Sequence, residues 1–231
     1  DDILTASDSI RNPGRAFSVT VTLTEFQAGK QVDTSTLTSY SRNQPNGQFS
    51  SLISFVLPAR DAGKLMLKNG NDMWFYDPSS KASVRLSPQQ RLLGQASNGD
   101  VSTVNLAKDY KATLVADEDI QDGDRRTRKA HKLALAAIST DVTYASIEMW
   151  VDVENNHPLK ARFFAESQRL LKTAYYRRYQ PQLGATRPTE TVIIDGLNPQ
   201  SVTILRLSDF VARTIPETWM QRDFLPRFQP E

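Results

Sequence analysis

The densest run of acidic groups is Asp117-Glu-Asp-Ile-Gln-Asp-Gly-Asp124, the kind of composition that supplies oxygen ligands to calcium. Its spacing is wrong for that purpose. With Asp117 as the first ligand, Gly123 falls one residue late and Arg128 stands where a closing glutamate is needed. Asp122-Gly123 reads instead as a hairpin turn. The two histidines, His131 and His157, lie in different segments with no HExxH or comparable metal spacing around them. There is no G-x-S-x-G elbow, P-loop or dinucleotide fingerprint. Cysteine is absent, so thiolate catalysis, disulfides and Cys-ligated metals are excluded. Carboxylates from distant strands can still converge, as they do in glycosidases. The expectation is nevertheless a chain that is not an enzyme and uses no cofactor or metal.

A second cluster, Tyr175-Tyr-Arg-Arg-Tyr179, interleaves aromatic and cationic side chains as single-strand nucleic-acid surfaces do. On a strand, Tyr175, Arg177 and Tyr179 share one face, and Tyr176 and Arg178 the other. Against nucleic acid stands the charge balance: 28 basic and 26 acidic residues leave a net charge of only +2. An exposed cross-strand salt-bridge surface is expected, with one arginine a candidate to pair with an anionic headgroup or a partner's acid at a cavity mouth. Arg125-Arg-Thr-Arg-Lys-Ala-His-Lys132 spreads its charges over both faces of a strand end and reads as a solvated rim.

What must position these residues is β structure. Phe17, Val19, Val21 and Leu23 point one way and Ser18, Thr20, Thr22 and Thr24 the other, the period of a strand with one dry face. Similar segments recur: Val32 to Ser41, Phe49 to Leu57, Lys64 to Lys68, Met73 to Asp77 and Ala82 to Leu86. They resume at Lys111 to Ile120, Arg125 to Ile138, Val142 to Val153, Leu159 to Glu166, Leu170 to Gln180, Arg187 to Ile194 and Ser201 to Phe210. Ile3 to Arg11 reads as a short helix stopped by Asn12-Pro13-Gly14. The alternation fails over residues 87–109, where Gln89 to Leu93 and Val101 to Lys108 predict short helices around a Gly94-to-Gly99 hinge, with Asp100 capping the second. That stretch is expected to lie across the sheet as an insert or mobile lid. The aromatic tail, residues 215–231, predicts a short helix that starts at Pro216, presents Met220 and Phe224 together, and docks on a sheet edge or barrel opening. The fold class is mainly β with a few short helices (α+β), in one domain of 231 residues. No apolar run is long enough to cross a bilayer. A start at Asp1-Asp2 suggests a processed chain whose signal peptide has been removed.

So large a sheet has more apolar face than a few helices can cover. Acyl chains would bind there by the physics that otherwise makes core, at about 0.8 kcal/mol per buried methylene. About ten methylenes give roughly 8 kcal/mol gross, a micromolar affinity before ordering costs. The expected cavity lining is Phe17, Val19, Val21, Leu23, Phe55, Leu65, Leu67, Trp74, Tyr76, Leu133, Leu135, Met149 and Phe163, with Leu92 and Leu93 contributed by the insert.

Several stretches carry a resemblance: Asp72-Met-Trp-Phe-Tyr-Asp-Pro78 with Lys81 and Arg85, Gln90-Arg-Leu-Leu-Gly94, Met149-Trp-Val-Asp152, Pro158-Leu-Lys160, Lys172-Thr-Ala-Tyr-Tyr176, Arg187-Pro-Thr189 and Trp219-Met-Gln-Arg-Asp223. In order and spacing they are similar to the outer-membrane lipoprotein-sorting proteins, relatives of the carrier LolA and the receptor LolB. That resemblance implies an unclosed, curved antiparallel half-barrel with helices and a loop across its concave face. It also implies a periplasmic setting and a cavity for acyl chains. The expected function is a non-enzymatic carrier of a lipid or lipidated protein, monomeric, with an inner-membrane transporter as a candidate partner. The alternative is an envelope sensor or adaptor that binds a protein through the same sheet.

Overall fold

The computed structural model describes residues 1–230. Helix α1 (Asp2–Arg11) precedes a first run of strands, β1 (Phe17–Gln27), β2 (Lys30–Asn43), β3 (Phe49–Leu57), β4 (Leu65–Asn69), β5 (Asp72–Asp77) and β6 (Ala82–Leu86). The insert follows, with β7 (Arg91–Leu93), β8 (Ala96–Ser97) and the single turn α2 (Leu106–Asp109). A second run, β9 (Tyr110–Gln121), β10 (Thr127–Ala137), β11 (Ser146–Asp152), β12 (Pro158–Phe164), β13 (Leu170–Gln182), β14 (Ala185–Asp195) and β15 (Ser201–Ala212), leads to two short 3₁₀ turns in the tail.

Among the described residues, thirteen strands form one antiparallel sheet in the order β6-β5-β4-β3-β2-β1-β15-β14-β13-β12-β11-β10-β9. Each run is a meander of consecutive hairpins, and β1 joins them by pairing with β15, Val21 opposite Leu207 and Leu23 opposite Leu205. The outermost strands, β6 and β9, do not meet, so the sheet is unclosed. It is also strongly curved. Seven strand spacings separate β1 from β9, about 34 Å on a flat sheet, yet Phe17 and Tyr110 line one cavity.

Both faces are covered, which explains why β3 carries an unbroken buried run from Phe49 to Phe55. On the inner face Phe49, Ile53 and Phe55 pack with Phe17, Val19, Val21 and Leu23 and meet Ala96 and Val101 of the insert. Farther round, Leu133, Leu135, Ile147 and Met149 pack under Leu4 of α1. On the outer face Leu52, Leu65, Leu67 and Tyr76 pack under Ile215, Met220, Leu225 and Phe228. The tail therefore docks on the back of the sheet rather than on an edge or opening. Tyr40 meets Trp219 and Phe228 edge-on, each at 5.6 Å between centroids, and Asn69 Nδ2 donates to the Met220 carbonyl at 2.9 Å.

The insert departs from the helices expected of it. Residues 91–97 form a small hairpin, turned at Gly94 with φ +55°, where a Cβ would lie 2.2 Å from Thr203 Oγ1. The predicted second helix coils only at its two ends, where Val101 closes a 3₁₀ turn that begins at Asn98 and Leu106–Asp109 makes one helical turn. The chain between them is extended because Thr103 and Asn105 donate their backbone N–H groups to Ser51 Oγ and Gln48 Oε1 of the sheet. Tertiary acceptors there outcompete a helix of low intrinsic stability. Asp100 caps backward rather than forward: its Oδ2 accepts from the Ser97 N–H at 2.8 Å, closing a capping box. The strand expected from Val142 begins only at Ser146.

Candidate functional site

Inward residues of the second run and of β1 surround a cavity of about 180 Å³. Phe17, Val19 and Val21 from β1, Ile193 from β14, Leu205 from β15 and Phe163 from β12 supply apolar wall, and residues 99–104 of the insert form the roof. Of the expected lining, Phe17, Val19, Val21 and Phe163 reach this space. Leu23 and Phe55 lie beside it in the inner-face core, against which Leu92 and Leu93 of the insert pack. Leu133, Leu135 and Met149 are solid core under α1. Leu65, Leu67, Trp74 and Tyr76 are a correction: they sit on the outer face, beneath the tail. Their inward-facing neighbours are Met66, Met73 and Phe75, one residue out of phase.

The insert is fastened to the sheet by a polar latch that sequence alone passed over. Lys172, on β13 and 4 % exposed, donates from Nζ to Asp100 Oδ2 at 2.6 Å, the Gln95 carbonyl at 2.7 Å and Ser97 Oγ at 3.2 Å. All three partners belong to the insert, and three is the full donor capacity of an ammonium. The cation also lies 5.0 Å from the Tyr144 ring. Tyr144 Oη donates to Asp100 Oδ1 at 2.7 Å, while the Tyr110 hydroxyl donates to the Tyr144 carbonyl at 3.0 Å. Burial, and then the Asp100 charge, raise the Tyr144 phenol well above its ordinary pKa, so it stays a donor. The one sequence signal was phase: Lys172 shares the inward parity of Ala174 and Tyr176.

Beyond the latch a second, wider hollow of about 730 Å³ opens outward, and Thr143, Tyr144 and Lys172 line both spaces. Its rim carries Ile138 and Leu197, 65 % and 77 % exposed. An apolar chamber, a charged latch and an open mouth edged with bare aliphatic side chains thus lie in series.

The remaining candidates are structural in arrangement. Arg177 Nε, Arg178 Nε and Arg206 Nη2 converge on Glu190 at 2.5, 3.0 and 2.8 Å. The expected salt-bridge surface exists, but its acid is fully buried, and a φ of +54° at Arg178 lets two neighbouring arginines reach one carboxylate. Burial opposes ionisation of Glu190, but hydrogen bonds from Arg206 and Arg177 and the nearby charges hold its pKa below the usual range. In the basic run, Arg128 pairs with Asp152 and Lys132 with Glu148. His131 Nδ1 lies 2.5 Å from Asp117 Oδ1, and His157 stacks on Tyr179 at 4.4 Å. Among the described residues no group of three His, Asp or Glu is placed to hold a metal. Among the described residues no helix is long and apolar enough to cross a membrane.

A family described as "-like: Uncharacterized protein" matches residues 47–227. None of the curated proteins matches the sequence. Among solved structures, a LolA superfamily protein from Nitrosomonas europaea is 33 % identical, with 96 % of this chain and 97 % of that one covered and a TM-score of 0.86. A domain from Vibrio parahaemolyticus named for outer membrane lipoprotein sorting is 18 % identical, covers 98 % and 97 %, and has a TM-score of 0.82. A DUF1329 family protein from Desulfovibrio piger is 20 % identical, covers 97 % and 96 %, and has a TM-score of 0.80. The last two share the fold, and the first shares sequence as well as fold over nearly its whole length. With one residue in three identical along almost all of both chains, and the same unclosed sheet, this chain belongs to the LolA superfamily.

Proposed function

We propose that this chain is a non-enzymatic carrier of the bacterial periplasm that takes the acyl part of a lipid or lipidated protein into its inner cavity and passes it on. One observation supports this above the rest: among the contacts that fasten the segment roofing the apolar space is a buried ammonium whose three partners all belong to that segment. A roof that served only as core needs no buried ion pair beside its packing. A charged latch closes in a dry environment and releases once water reaches both ions. The volume of the chamber fits the same reading. A cavity of about 150 Å³ holds a benzene, so about 180 Å³ takes a short hydrocarbon segment, and a longer chain requires the roof to lift and join the chamber to the mouth. Ile138 and Leu197 on the rim would meet a membrane or a donor protein such as an inner-membrane transporter.

The test is native mass spectrometry and lipid extraction of the chain purified from a bacterial periplasm, paired with uptake of a fluorescent fatty acid by the delipidated protein. Copurified lipid with saturable uptake is expected. A chain that carries no lipid and takes up none would overturn the proposal. A second reading, an adaptor that binds protein by adding a strand, has its own support in the edge strand β9, where Leu114 and Val115 are 52 % and 56 % exposed. Partner binding that a charged substitution at Leu114 abolishes, with lipid uptake intact, would favour it.

A further inference from the structure

Arg11 ends α1 at the wall of the inner cavity. Its side chain makes two hydrogen bonds, both from Nη2, to Asp8 Oδ1 at 2.6 Å and to the Val104 carbonyl at 2.8 Å. Its Nε is buried and has no partner. A buried guanidinium N–H without an acceptor carries a desolvation cost that a ligand oxygen would return. Tyr176 lines the same cavity and lies close enough for its phenol and the Arg11 charge to influence one another. The other ionisable groups facing the space have partners of their own. Lys172 is paired with Asp100, and Asp109 accepts from Gln48, with burial raising its carboxyl above the usual pKa against the pull of the nearby Lys68. One polar end of a mostly apolar chamber thus presents unfilled donor capacity.

We infer that Arg11 and Tyr176 form the head-end subsite of the carrier, reading an acyl oxygen at the end of an alkyl chain that lies along Phe17, Val19 and Val21. The inference rests on the carrier reading and narrows its ligand: the cavity selects an oxygen acceptor attached to hydrocarbon, not hydrocarbon alone. That oxygen belongs either to the carboxylate of a free fatty acid or to the ester carbonyl of a lipid. Asp8 supports the subsite from behind, since its second oxygen accepts from the Ala107 N–H at 2.8 Å and so anchors the Arg11 side chain to the insert.

The experiment uses the delipidated full chain loaded with the neutral probe N-phenyl-1-naphthylamine. The probe is displaced in turn by decanoate, methyl decanoate and decane. Wild type is expected to favour an oxygen-bearing competitor over decane by about tenfold or more, the worth of one charge-assisted hydrogen bond. A preference for decanoate alone identifies the free acid as the source; an equal preference for the methyl ester identifies the ester carbonyl. Arg11→Met should collapse the ratio of either to decane. Tyr176→Phe, which removes one hydroxyl and leaves the packing in place, should reduce it severalfold even if Arg11→Met fails to fold. Equal displacement by decane, or a ratio that neither variant changes, means that Nε is met by water only and overturns the inference while leaving the carrier intact. A wild-type chain that takes up neither probe nor competitor refutes the carrier reading and the subsite together.

Discussion

Replacing Lys172 by Met keeps an unbranched apolar stem on β13 and deletes the ammonium that holds the insert. Three bonds from Nζ disappear, and Asp100, 15 % exposed, is left charged with only the Ser97 N–H and the Tyr144 hydroxyl as donors. Hydrogen bonds to charged groups are worth about 1.5–3 kcal/mol each, and stranding a fully buried charge costs about 3–5 kcal/mol. The residual exposure and the two surviving donors reduce the second figure. Once the insert lifts, both ions reach water in the mouth, so the loss falls on the closed state. The closed form should be weakened by about 2–4 kcal/mol, which raises the open population about 30- to 900-fold. Amide exchange reads that population directly. The reporters are the N–H groups that cross from insert to sheet: Gln95 to Thr203 Oγ1, Thr103 to Ser51 Oγ and Asn105 to Gln48 Oε1. Exchange should accelerate by that factor over residues 95–105 and stay unchanged at Phe224 and Phe228 in the tail, on the other face of the sheet. Unchanged protection over 95–105 would show that packing, not the latch, holds the roof. A uniform rise across insert and tail would show global destabilisation and refute the local mechanism.

Glu190→Gln should lower stability by about 2 kcal/mol at pH 7, less than for a fully buried pair because the arginines keep solvent contact. In a chain of this length that is a fall of about 4–8 °C in Tm by calorimetry. The folded pKa of Glu190 is depressed, so its contribution is present above the ordinary carboxylate pKa and is lost as pH falls through the folded value. The gap between wild type and variant should therefore close below about pH 4, and a gap independent of pH would contradict the assignment. On the outer face, Met220→Ala empties a fully packed position beneath Trp219 and should cost about 2–4 kcal/mol in chemical denaturation. A loss below about 0.5 kcal/mol would mean that the tail does not contribute to the fold.

Strand existence was plain in the amino-acid order because alternation at period two and the turn dipeptides are local signals, and β1 runs from Phe17 to Gln27 as its pattern reads. The docking of the tail was legible for the same reason: aromatic residues that dense must find cover. Which side of the sheet became the chamber was not. Period two says that Leu65, Leu67, Trp74 and Tyr76 share a face, but where both faces are buried it does not say which face is inner, and here they lie on the outer one. The insert resisted prediction because its backbone is satisfied by Ser51, Gln48 and Thr203, residues far away in the chain. The same holds for the polar site. Arg11, Asp100, Tyr144 and Lys172 stand up to 161 residues apart (172 − 11) and carry no mutual spacing, and only the curling of thirteen strands about one hollow brings them together. Local order thus determined the strands and their partners in the meander, while the chamber, its latch and its polar end were decided by curvature, a property that no single segment possesses.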